Sequence, residues 1–144
     1  MIGTKLLMID DEEAFVAAME KRMTHGGIEV ATAYSGLEGL KKLEEDPDFD
    51  VVLLDVKMPG MDGVEVLRRI RGGHPIVEVI MLTGHATFES AIECLKQGAF
   101  DYLMKPCEME ELSTKVNAAR AKRREHLKKI VEAEGKRLRG QRAR

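Results

Sequence analysis

Apolar runs of strand length alternate with longer amphipathic segments along most of this chain of 144 residues. Short apolar runs bounded by turn residues indicate buried strands, whereas apolar positions three or four residues apart indicate helices. The pattern predicts five strands, at residues 5–10, 28–33, 49–55, 77–83 and 100–104, with a helix after each of them. This alternation is typical of βα units that form a parallel sheet.

Each predicted helix carries an apolar stripe, which we expect to face the sheet. The stripes consist of Ala14, Met19 and Met23, of Leu37, Leu40 and Leu43, of Val64, Leu67 and Ile70, of Ala91, Ile92 and Leu95, and of Met109, Leu112 and Val116. The first and third strands are apolar almost throughout, which is typical of central strands with helices on both faces. Gly98 falls where the glycine of a helix C-cap is expected.

The composition is that of one globular domain. Apolar residues make up 44% of the chain and charged residues 33%, and no apolar run approaches the length of a membrane span. The N-terminus has no small-residue cleavage site of a secretory signal, so we expect a soluble, cytoplasmic protein. Cys94 and Cys107 form no CxxC motif, which favours two free thiols over a structural zinc site.

The charge distribution divides the chain into two parts. Residues 120–144 contain 11 Lys and Arg against 3 Asp and Glu, whereas residues 1–119 contain 12 against 22. The sequence therefore predicts an acidic domain at residues 1–119 and a basic C-terminal extension, helical at least in part, at residues 120–144.

Polar residues stand at the ends of four of the five predicted strands. Asp10 and Asp11 end or follow the first, Asp55 ends the third, Thr83 ends the fourth and Lys105 follows the fifth. In an open α/β sheet the ligand lies outside the carboxyl ends of the strands. A flavodoxin-like, doubly wound sheet of order 2-1-3-4-5 makes the first and third strands neighbours, so we expect the three carboxylates to lie close together.

Carboxylates held this close either share a proton or bind a cation. Oxygen ligands in a site open to water favour Mg²⁺, which also binds phosphate oxygens of a substrate. The hydroxyl of Thr83 and the ammonium of Lys105 suit the remaining oxygens of a phosphoryl group. Since aspartate is a known covalent nucleophile, the sequence predicts a carboxylate that accepts a phosphoryl group with the help of Mg²⁺.

Together these residues resemble the receiver (CheY-like) domain of two-component response regulators. The resemblance covers about residues 4–119 and combines several motifs in the order and spacing of that family. The motifs are Asp10-Asp11, Asp55 followed by KMPGMDG at residues 57–63, Thr83-Gly84, Tyr102, and Lys105-Pro106.

The resemblance implies that Asp55 accepts the phosphoryl group from a sensor histidine kinase or a phosphotransfer protein. It implies that Asp11, Asp55 and the backbone carbonyl of Lys57 bind Mg²⁺, with Asp10 acting through water. The side chain of Lys57 also puts a cation at the rim of the site, where it affects how readily water reaches the phosphoryl group.

The resemblance further implies that Thr83 and Lys105 bind phosphoryl oxygens and that Thr83 and Tyr102 move together when the state changes. It also implies a cis peptide bond at Lys105-Pro106. On this interpretation the chain is a switch whose phosphorylation and dephosphorylation are self-catalysed, and it is not a metabolic enzyme.

Several of these residues have plainer interpretations. Asp10 can cap a helix, in a stretch whose acidic residues suit the first turn of that helix. Asp62 is expected to be a helix cap without a catalytic role. His85 is expected at the rim of the site and not as a phosphohistidine, and Tyr102 can be an ordinary strand residue.

Two other functions fit a sheet of this kind. A flavin or nucleotide binder is disfavoured because no glycine-rich phosphate loop follows the first strand. A hydrolase of the haloacid-dehalogenase type also forms an aspartyl phosphate with Asp, Lys and Mg²⁺. That family carries its nucleophile after the first strand in a DxD motif, which Asp10-Asp11-Glu12 does not supply.

The basic extension continues the apolar stripe of the fifth helix through Leu127, Ile130, Val131 and Leu138. We expect this helix to run to about Glu134, before a glycine weakens it. The extension has three candidate roles, which are pairing with a second chain in a homodimer, contact with an acidic surface, and a solvated end. We expect neither nucleic-acid binding by this chain alone nor association with a membrane. Whether the receiver stands alone or belongs to a longer chain is left open.

Overall fold

The computed structural model describes residues 3–84 and 87–142. It contains a five-stranded sheet in which every neighbouring pair is parallel and the order is β2-β1-β3-β4-β5. The strands are β1 (Lys5–Ile9), β2 (Glu29–Ala33), β3 (Val51–Leu54), β4 (Glu78–Thr83) and β5 (Asp101–Met104). The predicted fold is confirmed, and the strand ends differ from the predicted ones by at most two residues.

Within the described residues, five helices cover the two faces of this sheet. They are α1 (Glu13–His25), α2 (Gly36–Glu45), α3 (Gly63–Gly73), α4 (Phe88–Lys96) and α5 (Met109–Arg142). Leu7 and Ile9 of β1 pack in a core with residues of α2, α3 and α4, whereas Leu6 and Met8 pack in a second core with residues of α1 and α5. Strand residues alternate between these two cores, as the pleat of a strand requires. None of the described helices is long and apolar enough to cross a membrane.

The predicted helix stripes are correct in α3 and at the start of α5 but are wrong at several positions elsewhere. Ala14 and Leu37 are exposed, and both lie in the first turn of their helices. In α4 the side chains of Ile92 and Leu95 are exposed, and Cys94 is the buried residue. The helix has nine residues and packs against β5, the edge strand, so only a narrow stripe of it is covered.

Two smaller predictions are confirmed. Cys94 and Cys107 are free thiols, and burial raises the pKa of Cys94 to about 11. Gly98 follows the C-cap of α4 with a φ of +98°, in the left-handed region that favours glycine.

The loop between β3 and α3 depends on two glycines. Gly60 has a φ of +79°, which residues with a Cβ rarely adopt. At Gly63 a Cβ would lie 2.7 Å from the Cα of Val56 and closer still to the carbonyl oxygen of Asp55. The side chain of Asp62 accepts a hydrogen bond from the backbone in the first turn of α3, which confirms it as the cap. Helix α3 therefore begins directly against the backbone of Asp55.

The opposite end of the sheet contains a buried ion-pair cluster around Asp50, which is 2% exposed. Its carboxylate accepts hydrogen bonds from the backbone N–H of Lys5 at 3.0 Å, from Arg123 at 3.1 Å and from Arg124 at 3.2 Å. Burial alone would raise the pKa of Asp50, but Arg124, the Lys5 N–H and Arg123 together hold it below the ordinary value. The cluster thus fixes α5 to the start of β3.

Helix α5 is longer than expected. It continues through Gly135 to Arg142, so the predicted end near Glu134 is wrong. A glycine inside a helix costs only about 1 kcal/mol, and the residues around it are good helix formers. Ile130 and Val131 are exposed on this segment. The predicted domain boundary at residue 119 stays a prediction, and the helix crosses it without a break.

Replacing Asp50 by Asn should lower the free energy of unfolding by about 3 kcal/mol, because it removes the buried carboxylate that pairs with the buried guanidinium of Arg123. Urea denaturation at pH 7 measures the effect. The matched control is Asp48→Asn, which removes an exposed partner of the same arginine and should cost less than about 1 kcal/mol.

The effect of Asp50→Asn should also depend on pH. The pKa of Asp50 is depressed in the folded protein, so its contribution to stability is present above the unfolded pKa of about 3.9 and is lost as the pH falls through the folded value. The stability difference between wild type and Asp50→Asn should therefore shrink below about pH 4. Equal stabilities at pH 7 would contradict the assigned role of the cluster.

Replacing Gly63 by Ala should destabilise the protein by more than about 2 kcal/mol, because the new Cβ would overlap the backbone at Asp55 and Val56. Gly72→Ala in the same helix meets no atom within 4 Å and should leave stability unchanged or raise it by up to about 1 kcal/mol. Thermal unfolding compares the two variants, and similar shifts in both would show that the close approach at Gly63 is unimportant.

Candidate functional site

Three carboxylates lie together at the carboxyl edge of the sheet. Asp10, Asp11 and Asp55 each offer an oxygen, and these oxygens lie within 4.8 Å of one another. Asp10 follows β1 and Asp55 follows β3, and the neighbouring strands are joined by a hydrogen bond from the Asp55 N–H to the carbonyl oxygen of Ile9. Asp10 is 1% exposed and Asp55 is 2% exposed. The fold thus brings the predicted acidic residues together in a largely buried cluster.

The ammonium of Lys105 enters this cluster from the end of β5. It lies 2.6 Å from Asp10 Oδ2, 3.1 Å from Glu12 Oε1 and 3.9 Å from Asp55 Oδ2. It also lies 4.2 Å from the centre of the Phe15 ring, which is within the range of a cation–π contact. The backbone N–H of Lys105 donates to the carbonyl oxygen of the last residue of β4, and the peptide bond to the following proline is cis, as predicted.

Two of these contacts were not predicted from the sequence. They are the contacts of Glu12 and Phe15 with the Lys105 ammonium. Glu12 is the N-cap residue of α1 and Phe15 lies in its first turn, directly after the acidic pair, but no sequence pattern indicates that either contacts Lys105. The alternative role of Asp10 as a helix cap is not observed, because its Oδ1 accepts the backbone N–H of Glu12 at 2.9 Å and not an N–H within the first turn of α1. The N-cap residue of α1 is Glu12 itself.

The electrostatics of the cluster leave negative charge in excess. Burial raises the pKa of Asp10, and the carboxylate of Asp55 adds to the rise, although Lys105 and the Glu12 N–H oppose it. Burial would lower the pKa of Lys105, but the carboxylates of Asp10, Asp55 and Glu12 hold it above the ordinary value. Oδ1 of Asp55 is buried and has no hydrogen-bond partner in the described part of the chain. An orphaned carboxylate oxygen among acidic neighbours fits a hard divalent cation.

Thr83 and Tyr102 lie on the two strands beyond this cluster. Thr83 is completely buried at the end of β4, and its carbonyl oxygen accepts the backbone N–H of Lys105 at 2.9 Å. Tyr102 is half-buried on β5, and its hydroxyl lies 3.2 Å from the hydroxyl of Ser90 in the first turn of α4. Ser90 also forms a capping box with Thr87. Tyr102 therefore connects β5 to the start of α4, a contact that the sequence did not indicate.

Of the remaining predicted residues, Lys57 lies in the loop after β3. Lys57 follows Asp55 by two residues, and its side chain is exposed. The roles predicted for its carbonyl and its side chain stay predictions. His85, which was expected at the rim, lies outside the described residues.

The fold agrees with what comparison to known proteins finds. The response regulator receiver domain family matches residues 6–117. The DNA-binding transcriptional regulator NtrC of Klebsiella pneumoniae is 38% identical over 112 residues, which are 78% of this chain and 24% of NtrC. The chain thus spans about a quarter of the length of the curated relatives it matches.

Solved structures give the same result. A response regulator receiver domain protein from Clostridium thermocellum is 39% identical, with a TM-score of 0.80 over 84% of this chain and 97% of that chain. A chain of the CheX–CheY–BeF₃–Mg²⁺ complex from Borrelia burgdorferi is 28% identical, with a TM-score of 0.77 over 81% of this chain and 89% of that chain. By sequence and by fold, the chain belongs to the response regulator receiver domain family of two-component systems.

Proposed function

We propose that this receiver domain accepts a phosphoryl group on Asp55 from a sensor histidine kinase or a phosphotransfer protein. The observation that carries the proposal is the setting of Asp55. It is a buried carboxylate at the end of a central strand, with one oxygen that lacks a partner in the described part of the chain and an ammonium 3.9 Å from the other. In this role the protein is a signalling switch and catalyses only its own phosphorylation and dephosphorylation.

The chemistry is a transfer between two nucleophiles. A carboxylate oxygen of Asp55 forms the new bond to phosphorus, and the phosphorus–nitrogen bond to the donor's histidine breaks. The electron pair of that bond stays on the imidazole nitrogen, which then takes up a proton. Lys105 stabilises the negative charge on the transferred oxygens, and the hydroxyl of Thr83 donates a hydrogen bond to one of them.

Asp10, Asp11, Asp55 and the backbone carbonyl of Lys57 are proposed to hold Mg²⁺. When bound, the ion neutralises charge on the phosphoryl oxygens and offsets the repulsion among the carboxylates. The acidic cluster supports this proposal, and so does the relative from Borrelia burgdorferi, whose structure contains Mg²⁺.

The proposed output face includes α4 and β5. Phe88 is 82% exposed, and Leu95 and Met104 are also exposed apolar side chains on these elements. Tyr102 of β5 contacts α4 within this face, since its hydroxyl lies 3.2 Å from the hydroxyl of Ser90. A movement of Thr83 toward a phosphoryl group on Asp55 would free space for Tyr102, whose displacement would then change the start of α4.

Incubation with acetyl phosphate and Mg²⁺ should add one phosphoryl group to the wild-type protein and none to Asp55→Asn. The reason is that Asp55 is the buried carboxylate within reach of Lys105 that also has an oxygen without a partner in the described part of the chain. Intact mass spectrometry measures the addition. Asp62→Asn is the matched control, since Asn also caps helices, and it should be labelled like wild type.

Equal labelling of Asp55→Asn would refute Asp55 as the acceptor. Phosphate release measured with small phosphoesters tests the alternative of a haloacid-dehalogenase-type hydrolase, because that reaction requires sustained turnover. No feature of the described residues favours that reaction.

The part of α5 beyond Arg124 is proposed to pair with a second copy of the chain, because Ile130, Val131 and Leu138 are exposed there. Light scattering should give the mass of a dimer for the full chain and the mass of a monomer for a chain ending at Glu125, which keeps Arg124 and the cluster around Asp50. Beryllofluoride, which mimics the phosphoryl group, should shift the mass of the full chain. If the full and the shortened chain are both monomers, with and without beryllofluoride, the extension does not mediate dimerisation. A salt-dependent DNA titration would then test whether the basic extension binds nucleic acid.

A further inference from the structure

Glu12 has an unusual position for the residue that begins a helix. Its carbonyl oxygen accepts the N–H of Val16 at 3.0 Å, which starts α1, but its side chain makes no capping hydrogen bond. The side chain instead accepts a hydrogen bond from the ammonium of Lys105 at 3.1 Å. The backbone N–H of Glu12 donates to Asp10, so backbone and side chain together link two residues of the site.

The start of α1 holds Lys105 from one side. Glu12 contacts the ammonium with a carboxylate oxygen, and Phe15 contacts it with the face of its ring. An ammonium has three N–H donors, and Asp10 and Glu12 both lie within hydrogen-bond distance of it. Asp55 Oδ2, at 3.9 Å, lies beyond that distance. A phosphoryl group on Asp55 would bring its oxygens closer to the ammonium without any need for Lys105 to move far.

Asp10 cannot serve Lys105 and a cation equally well. It belongs to the group of carboxylates whose oxygens converge, whereas Glu12 does not belong to any such group in the described part of the chain. A cation among the converging oxygens would draw Asp10 away from Lys105 and would weaken its shortest ion pair. Glu12 would then be the remaining carboxylate that holds the ammonium beside Asp55.

We propose that Glu12 is a positioning residue for phosphoryl transfer, which holds the Lys105 ammonium beside Asp55 while a divalent cation occupies the converging carboxylates. The inference rests on the proposed function and adds a residue to it. Glu13 provides the matched control, because it is the next residue, carries the same charge, is exposed and starts the same helix.

A double-mutant cycle in metal-free protein tests the contact without any activity measurement. Glu12→Gln, Lys105→Met and the double variant are compared by urea denaturation with Glu13→Gln and its double variant. The effect of Glu12→Gln on the unfolding equilibrium constant should differ about three- to fivefold between the wild-type and Lys105→Met backgrounds, as expected of a partly exposed ion pair. Equal effects in both backgrounds, as expected for Glu13→Gln, would overturn the proposal.

Phosphorylation by acetyl phosphate tests the role, with the rate measured as a function of Mg²⁺ concentration. Glu12→Gln should lower the maximal rate at saturating Mg²⁺ about three- to tenfold relative to Glu13→Gln, because a misplaced ammonium stabilises the transition state less. The Mg²⁺ concentration at half-maximal rate should be the same in both variants, since neither residue belongs to the group of converging carboxylates.

The outcomes are distinguishable. A Glu12→Gln rate equal to that of Glu13→Gln, or higher, would overturn the positioning role. A change confined to the half-maximal Mg²⁺ concentration would also overturn it and would assign Glu12 to the cation. Absence of phosphorylation in wild type would refute the proposed function itself.

Discussion

Burial of the carboxylates of Asp10 and Asp55 in one cluster costs free energy, and the ammonium of Lys105 offsets it in part. The arrangement requires the ends of three strands to meet, because the acidic residues follow β1 and β3 and the lysine follows β5. The parallel order of the sheet supplies this, and β4, which lies between β3 and β5, holds the backbone of Lys105. The excess negative charge that remains is of the kind that a divalent cation would offset.

Strand β3 has a buried carboxylate at each end. Asp55 follows it at the candidate site and Asp50 precedes it at the other end of the sheet, where Arg123 and Arg124 neutralise it. The two charges are balanced differently. Both carboxylate oxygens of Asp50 accept hydrogen bonds from the arginines, so Asp50 holds α5 against the sheet. Asp55 keeps an oxygen without a partner in the described part of the chain. Complete pairing stabilises the fold, and incomplete pairing leaves capacity for chemistry.

The strands, their order and the residues at their carboxyl ends were predictable. Buried strands alternate with amphipathic helices along the sequence, and a parallel sheet brings the carboxyl ends of its strands to one edge. The contacts of individual side chains were not. Nothing in the sequence indicates that Glu12 turns toward a lysine 93 residues away, or that Asp50 meets arginines more than 70 residues later. Periodicity also failed in α4, where an edge strand covers too little of the helix to bury its whole apolar stripe. These features depend on tertiary contacts that local patterns do not contain.

Helix α5 starts after the loop that carries Lys105 and passes the cluster around Asp50, and its 34 residues form one continuous element. At 1.5 Å per residue it is about 51 Å long, and the part beyond Arg124 accounts for about 27 Å of this. Arg123 and Arg124 fix the helix where it leaves the sheet, so a tilt of the helix would pivot about this point. A tilt of about 5° there would move the far end by more than about 2 Å, given the rise of an α-helix. A small change in the packing of the domain around these arginines would therefore displace the far end of α5 by the length of a typical van der Waals adjustment or more.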